Sequence, residues 1–461
     1  MRTITEPKRE MPIIAEADVV VCGGGPGGLP AAIAAARHGA KVLLIERYGF
    51  LGGLATAGLV APMLGHTASR SITPIVEGLL RETVERMHNL GGAPSWQEAC
   101  HEWGIRFNAE AFKYVADQMV QEAGVDLLLH TFVTDAIVEE GRITGLIIES
   151  KSGRQAVVGQ VVIDATGDGD VAFRAGVPTK QGRDFDGQVQ SMGSFVHIGG
   201  IPNLSEEERR AAVERVRKAM DAGQLHFYNP NFAAVNTVHR DHFSPNMTRS
   251  AGDPTDARDL TRAELKVRHN VWQLMAFLRR EVPGFEECYV QATSPQIGPR
   301  ESRQVIGDYV LTGQDVQEGR KFDDAIARGS WWIDIHCPLG HTHPVHLCVI
   351  ECPRRENCPF WLAEHDQSMI ARENLYPPDD DWYDIPYRCL TPKGVDNLLV
   401  SGRCISATHQ AMAGARVMGT CMAIGQAAGT AAALAVRDGV RPREVDVDEL
   451  HRVLRADGAL V

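Results

Sequence analysis

The stretch ADVVVCGGGPGGLPAAIAAARHGAKVLLIERYGFLGG, Ala17 to Gly53, decides how the chain is read. An apolar run at Val19–Cys22 gives way to glycines and a proline. An alanine-rich segment at Gly27–His38 and a second apolar run at Val42–Glu46 follow. Two short buried runs on either side of a helical segment predict one βαβ unit of a parallel sheet. Within it, Gly23-x-Gly25-x-x-Gly28 offers a tight turn, an open approach for a pyrophosphate, and close packing of helix on strand. The free N–H groups of the helix start face the same point. Glu46 lies 23 residues after Gly23, at the end of the second strand, where a carboxylate accepts hydrogen bonds from a ribose diol. These residues predict a dinucleotide site and leave NAD and FAD both open.

Composition bounds the rest. A chain of 461 residues holds two or three domains' worth of core. The 47 basic and 59 acidic side chains give a net charge of −12, which opposes extended contact with a phosphate backbone, so no nucleic-acid partner is expected. No apolar run of membrane-spanning length stands out, and the start MRTITEPKREMP lacks the apolar core of a signal peptide. The expectation is a cytoplasmic protein with no membrane span. Ten scattered cysteines fit reduced thiols better than a disulfide framework.

After the βαβ unit, TPIVEGLLRETVERMHNLGG has helical spacing. NAEAFKYVADQMVQEAG is a second helix, with Asn108 as N-cap and Gly124 as stop. Residues 125–164 read as a β-meander followed by a returning parallel strand. Residues 188–384 are mixed, with a long helix at Thr261–Glu281, and are taken as an inserted α+β substrate or cap domain. The end of the chain returns to strand, loop and small-residue helix. The expected fold is therefore α/β: a discontinuous Rossmann-like domain, 1–187 and 385–461, with parallel sheet, helices and meander, plus the 188–384 insertion.

Further segments carry a family likeness. They are VVIDATGDGDVAFRAG (Val161–Gly176), GFLGGLATAG (Gly49–Gly58), YDIPYRCLTPKGVDNLLVSGRCISATH (Tyr383–His409) and ARVMGTCMAIGQAAGTAAA (Ala415–Ala433). In the middle, GPRESRQVIGDYVLT and WWIDIH add to them. Together they resemble the FAD-dependent oxidoreductase family of the glutathione-reductase-like flavoprotein superfamily. The resemblance implies FAD as cofactor, with Gly23, Gly25, Pro26, Gly28, Glu46 and Arg47 around its ADP half. It further implies Gly53, Leu54 and Ala55 along the flavin, and Thr166, Gly167 and Asp168 near the ribityl chain. Gly402 and Arg403, with Met418, Gly419 and Thr420 at the start of the last long helix, are implied beside the isoalloxazine. A helix N-terminus there favours the negative charge of reduced flavin.

A bound flavin needs a substrate C–H and a group to take a proton. His336 is the first candidate base. Strand alternation in WWIDIH places Trp332, Asp334 and His336 on one face, so that Asp334 orients the imidazole; a core histidine bonded to backbone is the alternative. His409 is the second candidate. Arg300 and Arg303, at i and i+3 with Tyr309 in a following strand, could bind a substrate carboxylate or form ion pairs with Glu301 and Asp308. The segment HCPLGHTHPVHLCVIECPRRENCPF, His336–Phe360, crowds in Cys337, His341, His343, His346, Cys348, Cys352 and Cys358. Three readings stay open for it: a metal centre on Cys348, Cys352 and Cys358, a substrate pocket lined by His341 and His343, or an ordinary loop. No metal is the leading expectation.

The functional expectation is an FAD-dependent dehydrogenase or oxidase. It takes a hydride from a small polar substrate onto flavin N5 and is reoxidised by oxygen, a quinone or a carrier protein. The alternative is a flavoprotein electron-transfer subunit with a Cys/His metal centre in 337–358. A homo-oligomer is left open.

Overall fold

The computed structural model describes residues 2–5, 7–184, 186–227, 229–232, 237–239, 241–338 and 375–461. At its centre is a seven-stranded sheet. Strand β1 (Ile13–Cys22) runs parallel to β2 (Val42–Ile45) on one side, with Val19 beside Val42. On its other side lies β6 (Gly153–Asp164), with Cys22 beside Asp164. The strand β3 (Asp126–Leu128) extends the parallel part beyond β2, while β4 (Phe132–Glu139) and β5 (Arg142–Ser150) form the meander that leads into β6. The long β6 pairs with β5 along its first half and with the Leu398–Val400 strand along its last three residues. Helices cover this sheet, and Val19–Cys22 are fully buried. That is why every position of the run is apolar instead of every second one.

The Gly28–Arg37 helix crosses from β1 to β2, and the Met418–Asp438 helix lies against it. Small residues allow the approach. A Cβ on Gly425 would come within 2.2 Å of the Gly27 carbonyl oxygen, and one on Gly429 within 2.0 Å of that of Ala31. The Met418–Asp438 helix is also the longest apolar segment packed in this core. Among the described residues it is the one helix long and apolar enough to cross a bilayer, and 89% of its apolar window is buried inside the protein. The absence of charge from Met418 to Val436 follows from the packing around that part of the helix.

Caps set several boundaries. Asn108 accepts from the Glu110 and Ala111 N–H groups and starts the Ala109–Glu122 helix. Asp256 accepts from Arg258 and Asp259, so the long helix begins at Ala257, four residues before Thr261, and runs to Glu281.

Among the described residues, those of 188–384 contribute to several hydrophobic clusters, two of them large. One is a separate cluster that includes Val196, Ile198, Val216, Leu274, Leu278 and five phenylalanines, in which the Phe232 ring meets Phe243 and Phe285 edge to face. The Val196–Gly199 and Tyr289–Thr293 strands pair antiparallel on this body. Val305, Leu311, Ile326, Trp332 and Ile335 instead join the large core shared with the sheet.

Two strand expectations fail here. WWIDIH is not a strand: pairing ends with Ala325–Gly329, and Trp332–Cys337 are all buried, so alternation sorts no faces. Tyr309 lies in a bend beyond the short Arg303–Val305 strand, where its hydroxyl donates to Asp315.

Candidate active site

The carboxyl ends of β1, β2, β6 and the Leu398–Val400 strand come to one edge of the sheet, where an open α/β fold binds its ligand. A cleft opens there. Gly23 turns the chain with φ of +101°, and a Cβ on it would meet the Ala165 carbonyl oxygen at 2.5 Å. A Cβ on Gly28 would lie 1.7 Å from the Gly23 oxygen, so this position seals helix to strand. Gly25 differs: the nearest atom to its added Cβ is 3.5 Å away, on Gly53. The protein's own packing does not require glycine at 25, whereas a phosphate approaching the backbone does.

Glu46 is buried and accepts from the Gly24 N–H at 2.7 Å and the Tyr48 N–H at 2.9 Å. A carboxylate has about four acceptor sites, so both oxygens keep capacity for hydroxyl donors in the cleft. Arg47 bonds the Gln296 side chain, and its guanidinium lies 5.0 Å from the Tyr48 ring centre and 6.0 Å from that of Phe132.

Gly23, Gly25, Pro26, Glu46, Arg47, Gly53, Leu54, Thr166, Gly167, Gly402, Arg403 and Met418 line the cleft. The other residues implied for the cofactor support its wall. Gly28 sits under the loop, and Ala55 is buried in a 3-10 turn. Asp168 is held by the Ser302 hydroxyl at 2.6 Å and by Arg403 at 2.9 Å. The Gly419 N–H donates to the Leu64 carbonyl, so this group of the helix start faces protein, and Thr420 packs beside Gly65. Sequence reasoning missed Tyr48, Thr131, Phe132, Gln296, Arg416 and Cys421, all of which line the cleft. Phe132 and Gln296 arrive from remote segments with no local signal; Arg416 and Cys421 flank the recognised helix start and were within reach.

The fit to FAD is good. The glycine loop meets the cleft without a side chain, and a buried acid stands at the end of the second strand. Arg416 is a half-buried cation lining the same cleft; desolvation lowers its pKa, while Asp334 and Glu301 oppose the shift.

Beyond Arg416 lies a buried polar cluster. Arg416 donates to the Asp334 carbonyl at 3.2 Å, and the Asp334 carboxylate stands 3.6 Å from His336 Nε2. His336 Nδ1 faces an Arg249 guanidinium nitrogen at 3.3 Å, and its backbone N–H donates to Gln190. Burial holds the His336 imidazole well below the usual histidine range; Asp334 pulls the other way, and Arg300 and Arg249 add to the depression. Arginine only donates, so Nδ1 carries the lone pair and Nε2 the proton.

His409 packs against a different partner. Its Nδ1 lies 2.8 and 2.7 Å from the two oxygens of Glu301, which is fully buried.

Arg300 and Arg303 part company, because i and i+3 neighbour each other only on a helix and this chain is extended. Arg300 turns inward and donates to the Ser191 carbonyl at 2.7 Å. Arg303 pairs with Asp170 at 2.9 Å and lies over the Phe173 ring, which corrects its substrate-binding expectation. The anticipated ion-pair partners also differ: Glu301 serves His409, and Asp308 serves Thr391 and Arg443. His341, His343, His346, Cys348, Cys352 and Cys358 lie outside the described residues. Among the described residues, no group of three or more His, Cys, Asp or Glu side chains is arranged to hold a metal ion.

Fold and cleft together define a Rossmann-type flavin-binding protein. A model of the FAD dependent oxidoreductase family matches residues 18–454, and the chain belongs to that family. It is an FAD-dependent enzyme of the oxidoreductase type. Thiamine thiazole synthase of Methanococcus vannielii is 30% identical over 163 residues, covering 33% of this chain and 56% of that protein. Digeranylgeranylglycerophospholipid reductase 1 of Methanopyrus kandleri is 31% identical over 163 residues, covering 33% of this chain and 40% of the reductase. The chain thus spans about half the length of the curated relatives it matches. Among solved structures, a geranylgeranyl bacteriochlorophyll reductase-like protein from Thermoplasma acidophilum is 12% identical with a TM-score of 0.43, covering 96% of this chain and 84% of that one.

Proposed function

We propose that the protein oxidises a small polar substrate bound between the FAD cleft and the 188–384 segment, with His336 accepting the substrate's proton. FAD held in this cleft would supply a two-electron acceptor. The observation that carries this reading is the unbroken contact from Arg416, in the cleft wall, through Asp334 to a buried, neutral His336. A neutral imidazole has a lone pair to offer, and Asp334 offsets the charge it gains on protonation. His409, whose Nδ1 faces the buried Glu301, is another histidine set against a carboxylate. Reoxidation by oxygen, a quinone or a carrier protein completes the cycle, a reading that rests on the single glycine motif. A cytoplasmic setting is supported by the burial of the Met418–Asp438 helix.

The test is anaerobic addition of hydroxy acids, amines, sugars and heterocycles to the holoenzyme while following the flavin band near roughly 450 nm. One class should bleach it, and His336→Ala should slow that reduction by about 10²-fold or more. No bleaching by any class, or an unchanged rate in the variant, would overturn the proposal.

A further inference from the structure

A second cavity lies apart from the FAD cleft, where the Asn108 end of the Ala109–Glu122 helix meets the 188–384 segment, and His197, His239 and His242 all line it. The three imidazoles reach it from two segments. His197 stands on the Val196–Gly199 strand, while the His239 and His242 rings meet edge to face with centres 5.3 Å apart. Asn108 orients one of them. Its side-chain oxygen caps the helix, so its amide nitrogen donates to His239 Nε2 at 3.1 Å and leaves the His239 proton on Nδ1. His197 Nε2 is buried and has no hydrogen-bond partner. A buried ring nitrogen in that state lacks what a polar ligand supplies. Among the described residues, no three such groups are arranged around a metal ion, so these imidazoles do not form a metal cage.

We propose that this cavity is a second ligand site, for a small dianionic oxyanion of the sulfate or phosphate kind, which the histidines grip by taking up protons as it enters. The empty cavity resists those protons: burial depresses the His197 pKa, and His242 and His239 add to the depression. A dianion between the rings reverses the balance, because each proton gained then faces a negative oxygen and donates a charge-assisted hydrogen bond to it. Two carboxylates stand nearby. Glu110 lines the cavity but pairs with Lys113 at 2.8 Å, and Asp241 lies 3.9 Å from His242 Nε2; both acids are exposed, at 77% and 66%. Water screens their charge far more than that of a ligand held among the rings.

The test is calorimetric titration of the FAD-loaded protein with sodium sulfate, at fixed ionic strength in chloride and in buffers of differing ionisation heat, with dimethyl sulfone as a neutral compound of like shape. Sulfate stays a dianion across the range used, so its pH dependence belongs to the protein. Sulfate should bind saturably with net proton uptake, and about 10-fold or more tighter at about pH 6 than at about pH 8, while the sulfone should not bind. His197→Gln and His239→Gln should each weaken sulfate binding by about 10-fold or more and lower the number of protons taken up, with flavin content unchanged. His239 is exposed, so its variant locates the site even if His197→Gln does not fold. No saturable sulfate binding at about pH 6, equal binding of the sulfone, binding without proton uptake, or native affinity in His239→Gln would overturn the proposal. None of these outcomes bears on bleaching of the flavin by substrate, which tests the oxidoreductase reading separately.

Discussion

The Glu46 carboxylate accepts the Gly24 N–H at 2.7 Å, so the acid that closes β2 also clasps the glycine loop that follows β1. One side chain thereby fixes the loop and presents acceptors to the cleft. Glu46→Ala should lower FAD affinity by about 10-fold or more and cost about 1–3 kcal/mol of apoprotein stability, from a buried N–H left without its partner. Fluorescence titration of apoprotein with FAD measures the first effect. An unchanged Kd would show that the acid serves the loop alone.

Two alanine substitutions separate folding from binding in the same loop. Gly28→Ala drives a methyl to within 1.7 Å of a carbonyl oxygen and should abolish the folded protein or its flavin content. Gly25→Ala meets nothing closer than 3.5 Å and should leave the apoprotein's thermal midpoint intact while weakening FAD binding. If both variants lose stability equally, the distinction between the two glycines is wrong.

Glu301 is a hub without solvent. It accepts from the Gln190 N–H and the Gln304 amide, both at 3.1 Å, as well as facing His409. A glutamine there has one acceptor oxygen for three donors. Glu301→Gln should therefore destabilise the protein by about 1–3 kcal/mol. Chemical denaturation gives the number, and a native midpoint would mean that these contacts are not held in solution.

Acid should loosen the 188–384 segment through His197. Burial, reinforced by His242 and His239, lowers its pKa to about 4. The unfolded chain protonates near the ordinary value of about 6.5, while the folded protein resists until about 4. Between those values the unfolded state binds more protons, so this group's contribution to stability falls as pH falls, by up to about 3 kcal/mol over the window. His197→Gln should flatten that part of the stability profile, measured by denaturation at several pH values across it. An identical slope in the variant would sink the assignment.

The parts of the molecule that were legible in the sequence are those whose cause is local. Val19–Cys22, the glycine loop and Glu46 carry their meaning within forty residues, and Asn108 announces its helix by capping it. WWIDIH misled because alternation presumes one wet face, and this segment is buried on every side. Arg303 misled because adjacency at i+3 presumes a helix. Arg249 gave no signal of its own: a guanidinium's role depends on what the fold sets opposite it, here His336.

The pairing of Leu398–Val400 with β6, and the seating of Gly425 and Gly429 on the first helix, also constrain how the chain is made. A ribosome releases the glycine loop long before the helix that packs behind it and the Gly402–Arg403 wall that faces it. The nascent chain therefore exposes the apolar flank of its first helix until some four hundred further residues have emerged, a state in which such surface is prone to aggregate. The cleft's wall is therefore complete only once synthesis has passed that point.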